Sequence, residues 1–325
     1  MRKMLQKFSG WNKWLGQKIF FVVLFALLFG FVFPLPATKF WGLVATLSFA
    51  YMTFVTSLET GLKEFFTTLS RPWVNIWMLL LIHVAMPLLA FCIGILFYPE
   101  NEYLRLGFLI GAAIPVGVTS VLWTSMAGGD VPLSMVAVTI DTLICPILLP
   151  LFILLVAGST IHIDISHLLL GLLWMITLPS LLGMLTHDLT KGSLDKYAQS
   201  IGGFFSKIAI FVVVYINASA IEPEIHWNHS IIKLLLVILI ISISGYSLGF
   251  LGSYVLKGNQ RDKMVSMIYG VGMRNNSLGL VLALTYFPAS VAMPVTLAML
   301  YQQPLAALIS YFLKRTECCQ QENHS

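Results

Sequence analysis

The fold of this chain is indicated first by the stretch YGVGMRNNSLGL, Tyr269 to Leu280. It lies inside an apolar segment that runs from about Met264 to Phe287, yet it places Arg274, two asparagines and a serine in consecutive positions. Unwound, polar backbone is tolerated at membrane depth only where protein or a water-filled cavity satisfies its N–H and C=O groups. The stretch therefore predicts a broken membrane helix with a site around the break.

The composition of the whole chain is that of a membrane protein with several spans. Of the 325 residues, 58% are hydrophobic and 10% charged, and the apolar residues form long runs between short polar connectors. A soluble helix would present a charged face to water, and almost no segment here has one. Since about 20 apolar residues cross a bilayer core, the sequence predicts ten spans: Lys18–Leu35, Phe40–Leu58, Val74–Tyr98, Leu106–Ala127, Val131–Ala157, His167–His187, Ile201–Ile221, Ile231–Leu256, Met264–Phe287 and Ser290–Leu313.

The distribution of lysine and arginine predicts how these spans are oriented. If the N terminus is inside, fifteen of the 19 lysines and arginines lie in inner segments and three, Lys39, Arg105 and Lys233, lie in outer ones. Cytoplasmic segments carry such an excess of positive charge. We therefore expect a multi-pass protein of the cell membrane with both termini in the cytoplasm.

The ten predicted spans divide into two sets of five whose fourth members are both interrupted. The interruptions are GAAIPVGVTS, Gly111 to Ser120, and YGVGMRNNS, Tyr269 to Ser277, and the fifth span of each set has a proline near its middle, Pro146 or Pro304. Five is odd, so the two sets must have opposite orientations, as in inverted-repeat transporters whose broken helices form the binding site. The alternative is that Pro115 and the glycines are packing devices, which membrane helices also use.

The predicted fold class is thus an all-α membrane protein of ten transmembrane helices in two inverted five-helix repeats, with helices 4 and 9 broken. Residues 1–17 are predicted to form an amphipathic N-terminal lead-in, 18–157 the first repeat, 158–166 an outer connector, 167–314 the second repeat and 315–325 an inner tail. The lead-in is basic and carries two tryptophans, as helices at a membrane interface do. A disordered basic tail is the alternative.

Three motifs resemble pieces of the bile acid:sodium symporter family. They are IPVGVTSVLWTSMAGGDVPLSMVAVT from Ile114, MITLPSLLGML from Met175 and GVGMRNNSLGLVLAL from Gly270, and the resemblance extends from Lys18 to Leu313. It implies a ten-helix fold with a panel domain and a core domain, in which the two broken helices cross. It also implies transport of organic anions, such as bile acids, pantoate and related carboxylates, typically together with Na⁺.

Several residues depart from the pattern of the sodium-coupled members. Their second break reads Glu-x-Gly-x-Gln-Asn, in which the glutamate and glutamine help to hold two Na⁺ ions. Here these two positions are Gly270 and Arg274, while the asparagine is retained as Asn275. In the first break the family serine is retained as Ser120, but Val121 replaces the asparagine beside it.

Two further ligand positions of the family are also altered. The family threonine falls on Val138, next to Thr139, and the family glutamine falls on Ile82, next to His83. A hard cation such as Na⁺ requires several oxygen ligands, and a fixed positive charge nearby repels it. We therefore expect degenerate sodium sites, no other metal and no cofactor. If sodium does bind, the candidate ligands are Ser120, Thr139, Asp141 and Asn275.

Two uses of Arg274 are compatible with the sequence. Asp141 is the one acid inside a predicted span, and an ion pair between the two residues would replace the cation that holds the crossed helices together in coupled relatives. Alternatively, the guanidinium binds a substrate carboxylate beside the N terminus of the half-helix that starts near Ser277. His83 is a candidate proton carrier, since imidazole changes charge near neutral pH; a packed hydrogen-bonding histidine is the alternative.

The predicted site therefore has two groups of residues. The charge pair and coupling group consists of Asp141, Arg274 and His83. The polar side chains of the breaks are predicted to contact substrate, with capping of the half-helices as their alternative role; they are Thr119, Ser120, Arg274, Asn275, Asn276 and Ser277.

These features predict a secondary transporter of small organic anions that works by alternating access. The chain has no phosphate-binding G-x-x-x-x-G-K-[ST] motif and no paired catalytic groups within spans, so neither ATP-driven transport nor an enzyme is expected. The alternatives are a proton-coupled or uncoupled carboxylate carrier and a non-transporting sensor on the same fold. The expected partners are an organic anion and the lipid bilayer, with no nucleic acid; substrate identity and oligomeric state stay open.

Overall fold

The computed structural model describes residues 2–36, 38–59, 61–62, 72–157, 165–224, 229–256 and 261–322, which are almost entirely helical. No strand forms within these ranges. The predicted outer connector falls largely outside them. In chain order the helices are α1 (Arg2–Gln17), α2 (Ile19–Val32), α3 (Lys39–Ser57), α4 (Pro72–Leu80), α5 (Met86–Phe97), α6 (Glu102–Ala113), α7 (Thr119–Met126), α8 (Val131–Ala157), α9 (Ile165–Leu172), α10 (Leu178–Thr190), α11 (Asp195–Tyr197), α12 (Gly203–Ile221), α13 (His229–Ser253), α14 (Arg261–Gly272), α15 (Asn276–Tyr286) and α16 (Ala289–Glu322).

Wider π-helical turns join several of these helices into longer rods. They connect α4 to α5, α9 to α10 and α11 to α12, at Leu81–Ala85, Leu173–Thr177 and Ala198–Gly202. The first two turns each lie just before a proline, Pro87 and Pro179. A proline has no N–H and its ring clashes with the carbonyl four residues earlier, so the preceding turn must open.

Seven helices are long and apolar enough to cross a membrane. They are Lys39–Ser57, Trp73–Phe97, Val131–Leu155, Ser166–Thr190, Asp195–Ile221, Ser230–Ser253 and Ala289–Leu313. An eighth is added if α1 and α2, which meet at a bend of 71°, count as one span. The all-helical, multi-pass membrane fold is therefore confirmed, whereas the count of ten helices in inverted repeats stays a prediction.

The two interrupted segments account for part of the difference between the ten predicted spans and the seven or eight helices that are long enough to cross a membrane. The chain leaves helical conformation at residues 114–118, between α6 and α7, and again at 273–275, between α14 and α15. In the first segment Pro115 forces Ile114 into an extended conformation, with ψ 157°. In the second, Asn275 caps α15 by accepting a hydrogen bond from the Leu278 N–H at 3.3 Å. Both segments break within the stretches in which the sequence predicts interruptions.

The two breaks cross each other and pair through their backbones. Val116 and Arg274 form an isolated antiparallel bridge. The Gly117 N–H donates to the Met273 carbonyl at 3.3 Å, and the Asn275 N–H donates to the Pro115 carbonyl at 2.7 Å. Each unwound segment thus satisfies polar groups that the other exposes, as membrane depth requires.

Apolar side chains enclose this crossing. One buried cluster brings together residues from α4 and its π-helical turn, from the first break, from α8 and from α14. Its buried members are Met78, Leu81, Ile82, Val116, Ala137, Val138, Met267 and Val271. The crossing is therefore surrounded by low-dielectric material, in which any charge must be paired or hydrogen-bonded.

We expect Gly117→Ala to destabilise the crossing. A Cβ at position 117 would lie 2.9 Å from the Arg274 carbonyl oxygen and 3.2 Å from its carbon, and backbone atoms cannot rotate away. Overpacking of this kind costs about 1–3 kcal/mol. Gly111→Ala, in α6, is the matched control, because its Cβ would make an ordinary contact of 3.6 Å with Val295 Cγ2. Thermal unfolding of the purified variants in detergent tests this; equal melting temperatures would contradict it.

Candidate functional site

Asp141 is the buried acid at the centre of the crossing. It lies within α8 and is fully excluded from solvent. Its Oδ2 accepts a hydrogen bond from the Val116 N–H at 2.6 Å, and its Oδ1 contacts His83 Nε2. The Asp141 carboxylate therefore contacts both the backbone of the first break and the imidazole of His83.

His83 is presented to Asp141 by the π-helical turn that precedes Pro87. The side chain is 4% exposed, and its Nδ1 has no hydrogen-bond partner within the described part of the chain. Since Nε2 faces a carboxylate oxygen, the neutral imidazole carries its hydrogen on Nε2, and Nδ1 has the free lone pair. Nδ1 is thus a buried polar atom that the described residues leave unsatisfied.

The same π-helical turn leaves one carbonyl without a helical partner. The Met86 N–H, which would bond to Ile82 in an α-helix, donates to Leu81 instead. In a π-helix the donor to the Ile82 carbonyl would be the N–H of residue 87, but this residue is a proline and has no N–H. Arg274 Nη2 donates to this Ile82 carbonyl at 3.3 Å. Arg274, in the second break, thus donates to a carbonyl that the π-helical turn leaves without a helical partner.

The predicted ion pair between Arg274 and Asp141 does not form in this conformation, in which no nitrogen–oxygen distance of 4.0 Å or less joins them. The Asp141 oxygens face His83 and Val116 instead, although the carboxylate still acts on the guanidinium through its charge. Arg274 is 5% exposed, and among the described residues its Nε and Nη1 have no hydrogen-bond partner. Two charged donor groups are therefore buried without an acceptor.

Gln302 is a site residue that the sequence reasoning missed. Its Oε1 accepts hydrogen bonds from the Arg274 backbone N–H at 3.2 Å and from Asn276 Nδ2 at 2.8 Å. The Tyr246 hydroxyl donates a hydrogen bond to the backbone carbonyl of Gln302 at 2.8 Å. Two consecutive glutamines before Pro304, in an otherwise apolar span, were the available signal.

The other predicted contact residues have unequal environments. Asn275 performs the capping role that was the alternative to substrate contact, and Asn276 is bound to Gln302. Thr119 and Ser277 are half-buried at the starts of α7 and α15. Ser120 is fully buried, and its hydroxyl has no hydrogen-bond partner in the described ranges.

The residues present do not fit the two sodium sites that the resemblance implies. A Cβ on Gly270 would lie 1.7 Å from Met78 Cε, so a buried methionine fills the space of the family glutamate. The Thr139 hydroxyl donates to the Met135 carbonyl at 2.9 Å, and Asn275 and Asp141 already accept hydrogen bonds from backbone N–H groups. The carboxylate and the amide oxygen that the family supplies at these two positions, now Gly270 and Arg274, are therefore missing as ligands for a hard cation.

Comparison with known proteins identifies the family. Residues 46–225 match the family model "Sodium Bile acid symporter family". The Bacillus subtilis (strain 168) protein named "Uncharacterized protein YbaS" is 36% identical over 270 residues, which are 83% of this chain and 88% of that protein. From the same organism, the "Uncharacterized sodium-dependent transporter YocS" is 27% identical over 84% of this chain and 83% of its own length.

A plant relative has a lower sequence identity to this chain. The "Probable sodium/metabolite cotransporter BASS2, chloroplastic" of Oryza sativa subsp. japonica is 22% identical over 74% of this chain and 57% of its own length. The family match covers more than half of the chain, and the YbaS match covers most of both proteins. The chain therefore belongs to the sodium bile acid symporter family of membrane transport proteins.

Proposed function

We propose that the protein is a secondary transporter of small organic anions that binds the substrate carboxylate at Arg274. The observation that carries this proposal is the buried guanidinium whose Nε and Nη1 have no acceptor among the described residues. A charged group left in this state at membrane depth costs several kcal/mol. A carboxylate supplies the missing acceptors in a bidentate geometry, which stabilises the cation and selects for an anion.

The surroundings of Arg274 favour an anion as the ligand. Asp141 cannot serve as the direct partner while its oxygens face His83 and Val116. The N terminus of α15 begins two residues after Arg274, and its exposed N–H groups and dipole also attract an anion. Half-buried Thr119 and Ser277 and the unpaired hydroxyl of Ser120 supply further donors around the breaks. Bile acids, pantoate and related carboxylates are the proposed substrate classes.

The backbone pairing at the crossing supports alternating access as the transport mechanism. The breaks at 114–118 and 273–275 share hydrogen bonds, so they would move as one unit, and a substrate bound there would face either side as this unit moves relative to the remaining helices. The corresponding positions of the two breaks support an inverted repeat of ten spans. The fifteen-to-three charge bias supports insertion in the cell membrane with both termini in the cytoplasm.

A sodium-coupled anion carrier is the second candidate function. The printed names of YocS and of the rice relative, which include "sodium-dependent" and "sodium/metabolite", favour it. The filled space beside Gly270 and the arginine at the position of the family glutamine speak against the two family sites. In this candidate the ion would be held by Ser120, Thr139, Asp141 and Asn275.

We expect anion uptake without a requirement for sodium. The test is uptake of radiolabelled pantoate and of a radiolabelled bile acid into proteoliposomes in Na⁺, K⁺ or choline medium, since a carrier without functional sodium sites gives equal rates in the three media. A strict requirement for Na⁺ would favour the second candidate. Binding of these anions without uptake would contradict transport and favour the sensor; protein-free vesicles give the passive background.

A further inference from the structure

We propose that the groove between α1, α2 and α12 binds one anionic phospholipid, with an acyl chain along the groove and the phosphate group at Lys18. The groove has a volume of about 560 Å³ and lies where α1 bends away from α2. None of its three helices contains a break, so the site is separate from the crossing and the inference does not depend on the proposed function.

Apolar side chains of two helices form the walls of this groove. Phe21, Phe25 and Leu28 follow one another at intervals of four and three residues, so they share one face of α2, and they are 63%, 61% and 52% exposed. Ile208 and Phe211 line the groove from α12. The rings of Phe25 and Phe211 stack with their centroids 6.4 Å apart and thereby join the two helices. A concave site with such a lining suits a hydrocarbon chain.

The length of the groove matches one leaflet of a bilayer. Its lining residues on this side run from Lys18, which directly precedes α2, to Leu28. At a helical rise of about 1.5 Å per residue, these two positions are about 15 Å apart along the axis. That is half of a hydrocarbon core of about 30 Å. A phospholipid chain occupies one leaflet, whereas a further membrane helix would cross both, so the length favours a lipid as the occupant.

The groove carries positive charge at the end where α1 lies, because Lys18 and Lys207 line it there. Lys207 Nζ donates to Asn12 Oδ1, and the charge of Glu59 also acts on this lysine. Lys18 is exposed, and its Nζ lies over the Trp14 ring, 5.7 Å from the centroid. Within the described ranges no acid pairs with Lys18. Lys18 is therefore the cation that can bind a phosphate group, and Lys207 adds to the positive potential.

The helix α1 would lie at the level of the lipid headgroups and extend the positive charge of this end. Residues 1–18 contain five lysines and arginines and no acid. Two contacts fix the helix to α12 and to the π-helical turn before it. Asn12 Nδ2 donates to the Gln199 carbonyl at 2.6 Å, and the rings of Phe8 and Phe204 meet edge to face at 5.3 Å. A basic interfacial helix attracts anionic lipids, so the charge selects the headgroup while the apolar walls accept the chain.

The test measures which lipid stays bound to the purified whole chain in detergent. The protein is incubated with equal amounts of palmitoyl-oleoyl phosphatidylglycerol and palmitoyl-oleoyl phosphatidylcholine, and native mass spectrometry counts the lipids retained per chain. We expect one phosphatidylglycerol to be retained in preference to phosphatidylcholine. Lys18→Gln is expected to lower this preference by about fivefold, the contribution of one lysine near a membrane surface. Lys39→Gln, at an exposed lysine that begins α3 outside the groove, is the matched control and keeps the preference.

A second pair of variants tests the groove itself. Val22→Trp places a large side chain in the groove and should abolish retention of the lipid, whereas Leu47→Trp, at an exposed position of α3 outside the groove, should leave it unchanged. Equal retention of the two lipids by the wild-type protein, or retention that Val22→Trp does not change, would overturn the inference. A lipid-free dimer that Val22→Trp dissociates would assign the groove to a second copy, and release of the lipid by excess inorganic phosphate would leave only a phosphate contact. Either of these results would also overturn it.

Discussion

Arg274→Leu is expected to abolish anion uptake, and Arg274→Lys to reduce it by about 10- to 100-fold. Leucine removes the charge and all the guanidinium donors to the substrate carboxylate, whereas lysine keeps the charge but loses the planar pair of N–H groups. A hydrogen bond to a charged group contributes about 1.5–3 kcal/mol, and about 1.4 kcal/mol corresponds to a factor of ten. Loss of one bond gives the reduction expected for lysine, and loss of both gives more than 100-fold.

The measurement is the initial rate of pantoate uptake into proteoliposomes, divided by the amount of reconstituted, monodisperse protein. Arg105→Leu is the matched control, because Arg105 lies in the first turn of α6, at the end of that helix away from the first break, where it donates to the Pro99 carbonyl at 2.6 Å. Arg274→Gln adds a second comparison, since it restores the family residue without restoring the glutamate at Gly270. Uptake by Arg274→Leu at the wild-type rate would exclude the guanidinium as the carboxylate site.

The broken helices could be predicted from the sequence because their cause is local. Pro115 and the glycines of the first break, and the polar run at the second, disfavour helix wherever they occur. For the same reason, helix length alone does not test the predicted count of ten spans. Each predicted span that contains a break is divided into two helices, and α2 has only 14 residues before the chain reaches Pro34 and Pro36.

The partners within the site could not be read from the sequence because they depend on packing. Asp141 and Arg274 are two unusual charges in apolar spans, which favours a pair between them, but the sequence does not say that the π-helical turn before Pro87 brings His83 to the carboxylate. The same turn frees the Ile82 carbonyl that receives Arg274. The filling of the space beside Gly270 by Met78 is likewise a contact between distant positions.

Asp141→Ala is expected to destabilise the protein by about 3–5 kcal/mol, the cost of leaving a buried charge without compensation. The change removes the carboxylate whose field stabilises Arg274 and also leaves the Val116 N–H without its acceptor. Asp141→Asn separates the two effects, because its side-chain oxygen can still accept from Val116 while its charge is lost. We therefore expect Asp141→Asn to fall between the wild type and Asp141→Ala. Thermal and denaturant unfolding in detergent give the ranking.

The double variant with Asp141→Ala and Arg274→Gln tests whether the two charges stabilise each other without direct contact. Glutamine is neutral, so removal of the acid no longer leaves an uncompensated cation, and the double variant should be more stable than Asp141→Ala alone. Coupled charges in one buried cluster give interaction free energies of about 0.5–3 kcal/mol in such a cycle. Additive losses would instead mean that Arg274 is insensitive to Asp141 in the folded protein. In that case the acceptors that Arg274 lacks would have to come from the substrate carboxylate alone, and the loss of Asp141 would leave anion binding at the arginine unchanged.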